Sequence, residues 1–264
     1  MKKYLVIGNP IKHSLSPKLH NYWIKKNNID AIYEKKNITE KELESVITNI
    51  RDEKIHGINI TVPYKQKIIS FLDNVTPLAE EARSVNTIYK ENNNIIGDNT
   101  DITGFDLAIK NSNYELKNKK IFILGAGGVS PSIIVALRKN GVSKIILGNR
   151  TREKAEYLKK QYPEIEIVNW GETPKADLII NATSLGLKKE DKIELNYSEI
   201  GPNKLFYDVI YNPKQTNFLL EASKFGNKIL NGKMMFIYQA HRAFFKWHNI
   251  LPKIDENVIN LLDQ

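Results

Sequence analysis

Short apolar runs recur along the chain, at residues 4–7, 56–62, 85–89, 95–99, 121–124, 144–147, 177–180, 205–209 and 228–230. Their length and their glycine, asparagine and proline borders predict β-strands. Between them, apolar residues return at helical spacing. Leu19, Tyr22 and Trp23 follow Ser16-Pro17, read as cap and first helical residue. Leu43, Val46 and Ile47 follow a Thr39/Glu42 capping box, and Thr76-Pro77 caps a helix through Ala82. Ile133, Ile134 and Leu137 follow Ser130-Pro131, again read as cap and first helical residue, and stop at Gly141. A long amphipathic helix is expected over 234–248, with Met235, Tyr238, Ala243 and Phe245, and a short one around Val258, Leu261 and Leu262.

Strands alternating with helices from residue 120 to about 232 predict a parallel, doubly wound sheet. In the first hundred residues the strands 85–89 and 95–99 instead read as a pair joined by an asparagine-rich turn, with Asn99-Thr100-Asp101 ending the second strand and Gly104 opening the next helix. The expected fold class is therefore α/β in two domains. Residues 1–101 are expected to form one α/β domain, 102–232 a Rossmann-like domain, and 233–264 C-terminal helices.

The segment 120–130, Lys-Ile-Phe-Ile-Leu-Gly-Ala-Gly-Gly-Val-Ser, is the first strand and turn of the second domain. Gly125 permits a tight turn, and Gly127 and Gly128 let backbone approach a pyrophosphate at a helix start. Ser130 replaces the third glycine of the general fingerprint, so a glycine turn that binds nothing stays open as a reading. Asn149 lies 149 − 125 = 24 positions past the first glycine, where an NAD binder offers Asp or Glu to the ribose. Here the run is Asn149-Arg150-Thr151-Arg152, which has no carboxylate to repel a 2′-phosphate and two guanidiniums to clamp one, favouring NADP. Two solvated arginines opening a surface helix is the alternative.

In the first domain, Ser14 and Ser16 lie on a loop at a strand's carboxyl end, where α/β folds bind ligands. Ser16 is explained as a cap, and Ser14 is not. Asn59 and Thr61 share one strand face opposite Ile58, Ile60 and Val62, a hydrogen-bonding wall that ends at Pro63-Tyr64-Lys65. Lys65 reads either as part of a site or as an exposed helix-start lysine. Asn181-Ala182-Thr183-Ser184 ends a buried strand and can line a cofactor crevice.

The totals narrow the class. No run approaches the ~20 apolar residues that cross a bilayer, and the amino terminus leads straight into residues 4–7, so a cytoplasmic protein is expected. With no cysteine there is no disulfide, thiolate nucleophile or thiolate metal site. The five histidines form no recognisable ligand set, and no metal is expected. The net charge of +9 comes from scattered lysines without a recognition helix or aromatic-basic platform; it suits anionic small substrates, and no nucleic acid or membrane partner is expected.

Together these pieces resemble the shikimate dehydrogenase family. The likeness runs through Gly8-Asn9-Pro10, His13-Ser14-Leu15-Ser16-Pro17, residues 59–65, Val85-Asn86-Thr87, residues 97–101, Gly125-Ala126-Gly127-Gly128, Asn149-Arg150-Thr151, Asn181-Ala182-Thr183-Ser184, Tyr211-Asn212-Pro213 and residues 232–239. It departs at Arg83-Ser84, where the family often has Gly-Ala, and at Val129-Ser130-Pro131, where an Ala-rich version is commoner. The resemblance implies NADPH-dependent, reversible reduction of 3-dehydroshikimate to shikimate in aromatic amino acid biosynthesis, by a monomer or homodimer. It implies that Lys65 and Asp101 are the catalytic pair and that Ser14, Ser16, Asn59, Thr61, Asn86, Tyr211 and Gln239 hold the substrate with them. Gly125, Ala126, Gly127, Gly128, Val129, Asn149, Arg150, Thr151, Arg152, Thr183, Val209 and Gly232 would surround NADP. The final helices would return to the first domain. A quinate or dual quinate/shikimate dehydrogenase is the close alternative; a ligand-sensing regulator on the same fold, which needs neither Lys65 nor Asp101, is the non-enzymatic one.

Overall fold

A computed structural model describes residues 1–263. The chain divides into two compact units, one made of Met1–Phe105 with the residues from Ile237 onward, the other of Asp106–Phe236.

The first unit holds β1 (Lys2–Gly8), α1 (Ser16–Lys26), β2 (Ala31–Asn37), α2 (Leu43–Arg51), β3 (Gly57–Ile60), β4 (Asn74–Val75), α3 (Pro77–Ala82), β5 (Thr87–Glu91) and β6 (Asn94–Asp98). α4 (Thr100–Asn111) then leads into the second unit. The six strands form one mixed sheet in the order β2-β1-β3-β5-β6-β4. β1 lies between parallel neighbours on both sides, which is why its run from Tyr4 to Gly8 is buried throughout. The β5–β6 hairpin turns on Asn92 and Asn93, at φ 48° and 67°, a left-handed pair that asparagine tolerates. Leu43, Val46, Ile47 and Ile50 of α2 pack on Leu5, Ile7, Ile58 and Ile88 of the sheet, and the Thr39/Glu42 capping box that starts this segment is formed.

The second unit holds β7 (Lys120–Leu124), α5 (Ser130–Lys139), β8 (Lys144–Gly148), α6 (Arg152–Gln161), β9 (Glu166–Val168), β10 (Leu178–Asn181), α7 (Tyr197–Ile200), β11 (Leu205–Asp208), α8 (Asn217–Lys224) and β12 (Lys228–Leu230). Its sheet is parallel throughout, in the order β12-β11-β10-β7-β8-β9. This is the Rossmann arrangement, and the strand order reverses between β7 and β10, where such sheets bind ligands. α5 is buried from Ser130 to Leu137.

α9 (Lys233–His248) and α10 (Glu256–Leu261) follow. Within the first unit Trp247 of α9 donates its indole N–H to the Ile88 carbonyl at 3.0 Å. It also fills the space beside Gly57, where an added Cβ would lie 2.3 Å from the indole nitrogen. Around it gather Tyr4, His20 and Tyr33, and Phe244 of the same helix packs on His20 and Trp23, so α9 completes the aromatic side of this core.

Several local expectations are corrected. Residues 99–101 do not end a strand: β6 stops at Asp98, α4 begins at Thr100, Asn99 accepts the Ile102 N–H at 3.2 Å as a cap, and Gly104 lies inside the helix. Asp101 therefore stands in a first helical turn. Ser16 is the first residue of α1 rather than its cap; Leu15 precedes it, and the Ser14 hydroxyl accepts the Ser16 N–H at 3.3 Å. Ser130 is likewise inside α5, not its cap. β2 and β9 were not expected, the first because Glu34, Lys35 and Lys36 mask it as an exposed edge strand, the second because it is three residues long.

Candidate active site

The first unit carries a chain of buried polar side chains. β3 and β5 pair antiparallel with Asn59 opposite Thr87, which sets both on one face. Asn59 Nδ2 donates to Thr87 Oγ1 at 3.0 Å and to the Asn86 carbonyl at 3.1 Å, while its Oδ1 accepts the Tyr33 phenol at 2.6 Å. Asn86 Nδ2 donates to Asp101 Oδ1 at 2.9 Å and to Thr100 Oγ1 at 3.0 Å, and its Oδ1 accepts the Thr100 N–H at 2.7 Å. Lys65 Nζ donates to Asp101 Oδ2 at 2.6 Å, and the Lys65 carbonyl accepts the Val85 N–H at 2.8 Å.

Lys65 and Asp101 side chains are 11% and 10% exposed, so Lys65 is not a solvated helix-start lysine. Taking such a pair out of water is costly, and its stability return is small; this is the pattern of a retained chemical site. The arrangement can hold an ammonium in place at the end of a hydrogen-bonded floor. Ser14 and Ser16 lie side by side at the start of α1, and Ser16 also reaches the Tyr33 phenol. Thr61, just past β3, has its methyl against Gly8 and its N–H on the Ile7 carbonyl. Gln239 lies half-buried on α9.

Tyr33, Thr87 and Thr100 are members of this network that the sequence did not reveal. Thr87 and Thr100 adjoin Asn86 and Asp101, a signal that was there to read; Tyr33 sits in the charged edge strand and had none. Burial holds the Tyr33 phenol well above its ordinary range, so it remains a donor. Tyr33→Phe is expected to leave Asn59 Oδ1 without its donor and to lower stability by about 1–3 kcal/mol, read from chemical denaturation.

In the second unit the predicted nucleotide residues gather at the carboxyl edge of the parallel sheet. Gly125, at φ 107°, turns so tightly that a Cβ would lie 2.8 Å from the Thr183 methyl. Gly127 is open: its Cβ would meet only the Ala182 oxygen, at 3.7 Å. The buried Ser130 hydroxyl accepts the Gly127 N–H at 3.1 Å and donates to the Gly125 carbonyl at 2.7 Å, so it braces the turn in place of the third glycine. Asn149 Oδ1 accepts the Ala126 N–H at 2.9 Å, and its Nδ2 donates to the Thr151 carbonyl at 2.6 Å. Gly128 and Val129 complete the approach to α5. Arg152 is already engaged, with Asn169 at 2.7 Å and Glu156 at 3.3 Å. Arg150 is exposed and has no ion-pair partner among the described residues.

Gly232 lies against Val209: an added Cβ would stand 2.0 Å from the Val209 carbonyl oxygen. Tyr211, two residues on from Val209, stacks on Phe236 with ring centroids 4.4 Å apart. An open glycine at a helix start, with the Arg150 guanidinium exposed and without an ion-pair partner among the described residues, fits a phosphorylated dinucleotide. Among the described residues no three His, Asp or Glu side chains are grouped to hold a metal, and no helix is long and apolar enough to cross a membrane.

The glycine turn on an all-parallel sheet places the chain in the Rossmann-like dinucleotide-binding class. Comparison with known proteins narrows the class. Residues 6–88 match the profile described as shikimate dehydrogenase substrate binding domain, and residues 106–202 the one described as shikimate / quinate 5-dehydrogenase. A protein of Pelagibacter ubique named shikimate dehydrogenase (NADP(+)) is 62% identical over 262 residues, covering 99% of each chain. The crystal structure of shikimate dehydrogenase from Aquifex aeolicus is 38% identical with a TM-score of 0.90, covering 100% of this chain and 98% of that one. The enzyme from Thermus thermophilus, solved in complex with NADP(H) and shikimate, is 30% identical with a TM-score of 0.90, covering 100% of this chain and 99% of that one. The chain belongs to the shikimate dehydrogenase family.

Proposed function

We propose that the chain catalyses the reversible NADPH-dependent reduction of 3-dehydroshikimate to shikimate, a step of aromatic amino acid biosynthesis. The observation that carries this reading is the buried Lys65–Asp101 pair in a chain of this family. A regulator that only senses a ligand has no use for such a pair.

Bound NADPH supplies a hydride to the ketone carbon. The oxygen then develops negative charge and needs a proton, and the Lys65 ammonium is the group placed to stabilise that charge and provide it. Asp101 holds the ammonium charged and aimed, and Asn86 fixes the carboxylate through its other oxygen. Ser14, Ser16, Asn59, Thr61 and Gln239 offer polar contacts for the substrate carboxylate and hydroxyls, with Tyr211 as a further one. The backbone from Gly125 to Val129, with Asn149, Thr151, Thr183, Val209 and Gly232, is the cradle for NADP. Arg150 is the primary partner of its 2′-phosphate, and Arg152 a second once released from Glu156. The protein acts in the cytoplasm, as a monomer or homodimer, on small molecules.

The test is NADP+ reduction, followed by absorbance, with shikimate as the added alcohol; no turnover would overturn the reading. Comparing kcat/KM for shikimate and quinate separates the single-substrate enzyme from a dual one. Arg150→Gln is expected to cut the preference for NADP+ over NAD+ by roughly tenfold or more, the worth of a charge-assisted contact. An unchanged ratio of the two kcat/KM values would remove Arg150 from 2′-phosphate recognition.

A further inference from the structure

Asp208, the last residue of β11, is 0% exposed, yet no Lys, Arg or His pairs with it among the described residues. Three neutral donors satisfy it. Its Oδ1 accepts Asn181 Nδ2 at 3.0 Å and the Ile210 N–H at 3.0 Å, and its Oδ2 accepts the Thr216 hydroxyl at 2.6 Å. Each donor leads elsewhere. Asn181 Oδ1 takes both the N–H and the hydroxyl of Thr183, at 3.0 and 2.7 Å, and the Thr183 hydroxyl in turn takes the Leu185 N–H at 3.0 Å. Ile210 follows Val209 and accepts the Gly232 N–H at 3.1 Å. Thr216 caps α8.

A carboxylate buried without a counter-charge is costly, and an amide of the same shape would be less so. Burial pushes the Asp208 carboxyl up to about 6, so the cost is felt at neutral pH. The titratable groups around it offer no relief. The phenols of Tyr197 on α7 and Tyr207 on β11 are held neutral by burial, and Glu221 on α8 acts on Tyr197 with a like charge. A residue kept at such a cost is expected to serve the site rather than the fold.

We propose that Asp208 is a positioning residue for the nucleotide site: from one buried point it fixes both loops that leave β10 and β11, and so holds Thr183, Val209 and Gly232 in register. The proposal rests on the nucleotide-binding reading above. Charge-assisted bonds to the carboxylate are about twice as strong as those to an amide, and Asn at this position would also turn a donor toward Thr216.

The experiment compares the full chain with Asp208→Asn, measuring NADP+ affinity by calorimetry, thermal unfolding at pH 5 and pH 8, and amide exchange of 183–187 and 209–211 without ligand. The sign of the stability change is fixed by the raised carboxyl. Its neutral form favours the fold at low pH, and that contribution is lost as pH rises through about 6. The variant is therefore expected to gain Tm over the parent at pH 8 more than at pH 5. It is also expected to exchange faster in both loops and to bind NADP+ roughly tenfold more weakly. A merely structural residue would lose stability and affinity together. Unchanged loop exchange overturns the proposal, and so does unchanged affinity in a parent that binds NADP+. If the parent binds no NADP+ while the loops still loosen, the cofactor reading fails and the anchor stands. Thr216→Val, which removes the bond to Oδ2, is expected to loosen the 209–211 segment in the same way; Thr216→Ser is expected to restore it.

Discussion

Lys65→Ala is expected to lower kcat by a factor of roughly a hundred or more with a much smaller change in KM. The reason is where the ammonium acts. Substrate binding can draw on several hydroxyl and amide groups, but in the proposed mechanism the charge that grows on the carbonyl oxygen during hydride transfer meets the Lys65 Nζ, which Asp101 holds at 2.6 Å. Removing one partner of a fully buried pair costs about 3–5 kcal/mol. Here both side chains keep about a tenth of their surface open, so water can replace the lost ammonium and the stability loss is expected below that range. Circular dichroism and a denaturation curve on the same sample separate the two effects. A variant that folds and turns over normally would take Lys65 out of the mechanism.

The second large effect is expected from Gly232→Ala. The new methyl would stand 2.0 Å from the Val209 carbonyl oxygen and 3.1 Å from its Cα, and backbone on the neighbouring strand end cannot rotate away as a side chain can. Overpacking costs about 1–3 kcal/mol where side chains can adjust. A backbone clash is expected at or above the top of that range. Because Val209 and Gly232 are both proposed to border the nucleotide, NADP+ affinity is expected to fall alongside Tm. A variant with parental Tm and affinity would mean that the 209–232 contact is loose, against the geometry.

The sequence was legible where local physics is one-dimensional. Ile121–Leu124 ending in glycines and Thr39 with Glu42 each state their structure within a few residues, and both formed as expected. It was misleading where polar runs carry no period. Gly97-Asp98-Asn99-Thr100-Asp101 contains no apolar spacing that separates strand from helix, so the cap fell two residues earlier than Asp101 and put that carboxylate in a helical turn. Leu15 and Ser16, and Val129 and Ser130, show the same ambiguity: either of each pair could flank the helix, and the hydroxyl bonds of Ser14 and Ser130 that decide it are made through the fold. Tyr33 and Asp208 were invisible for another reason. Each gains its role from partners 26 and 27 residues away, across strand pairings that no local pattern announces.

The Trp247 indole seated over Gly57 has a consequence for how the chain folds. Residues 106–236 make a unit from one unbroken stretch, whereas the unit that holds Gly57 and Trp247 must join them across 247 − 57 = 190 positions, and contacts so distant in sequence are slow to form. Until they do, the surface that Tyr4, Tyr33 and Gly57 present to Trp247 stays bare.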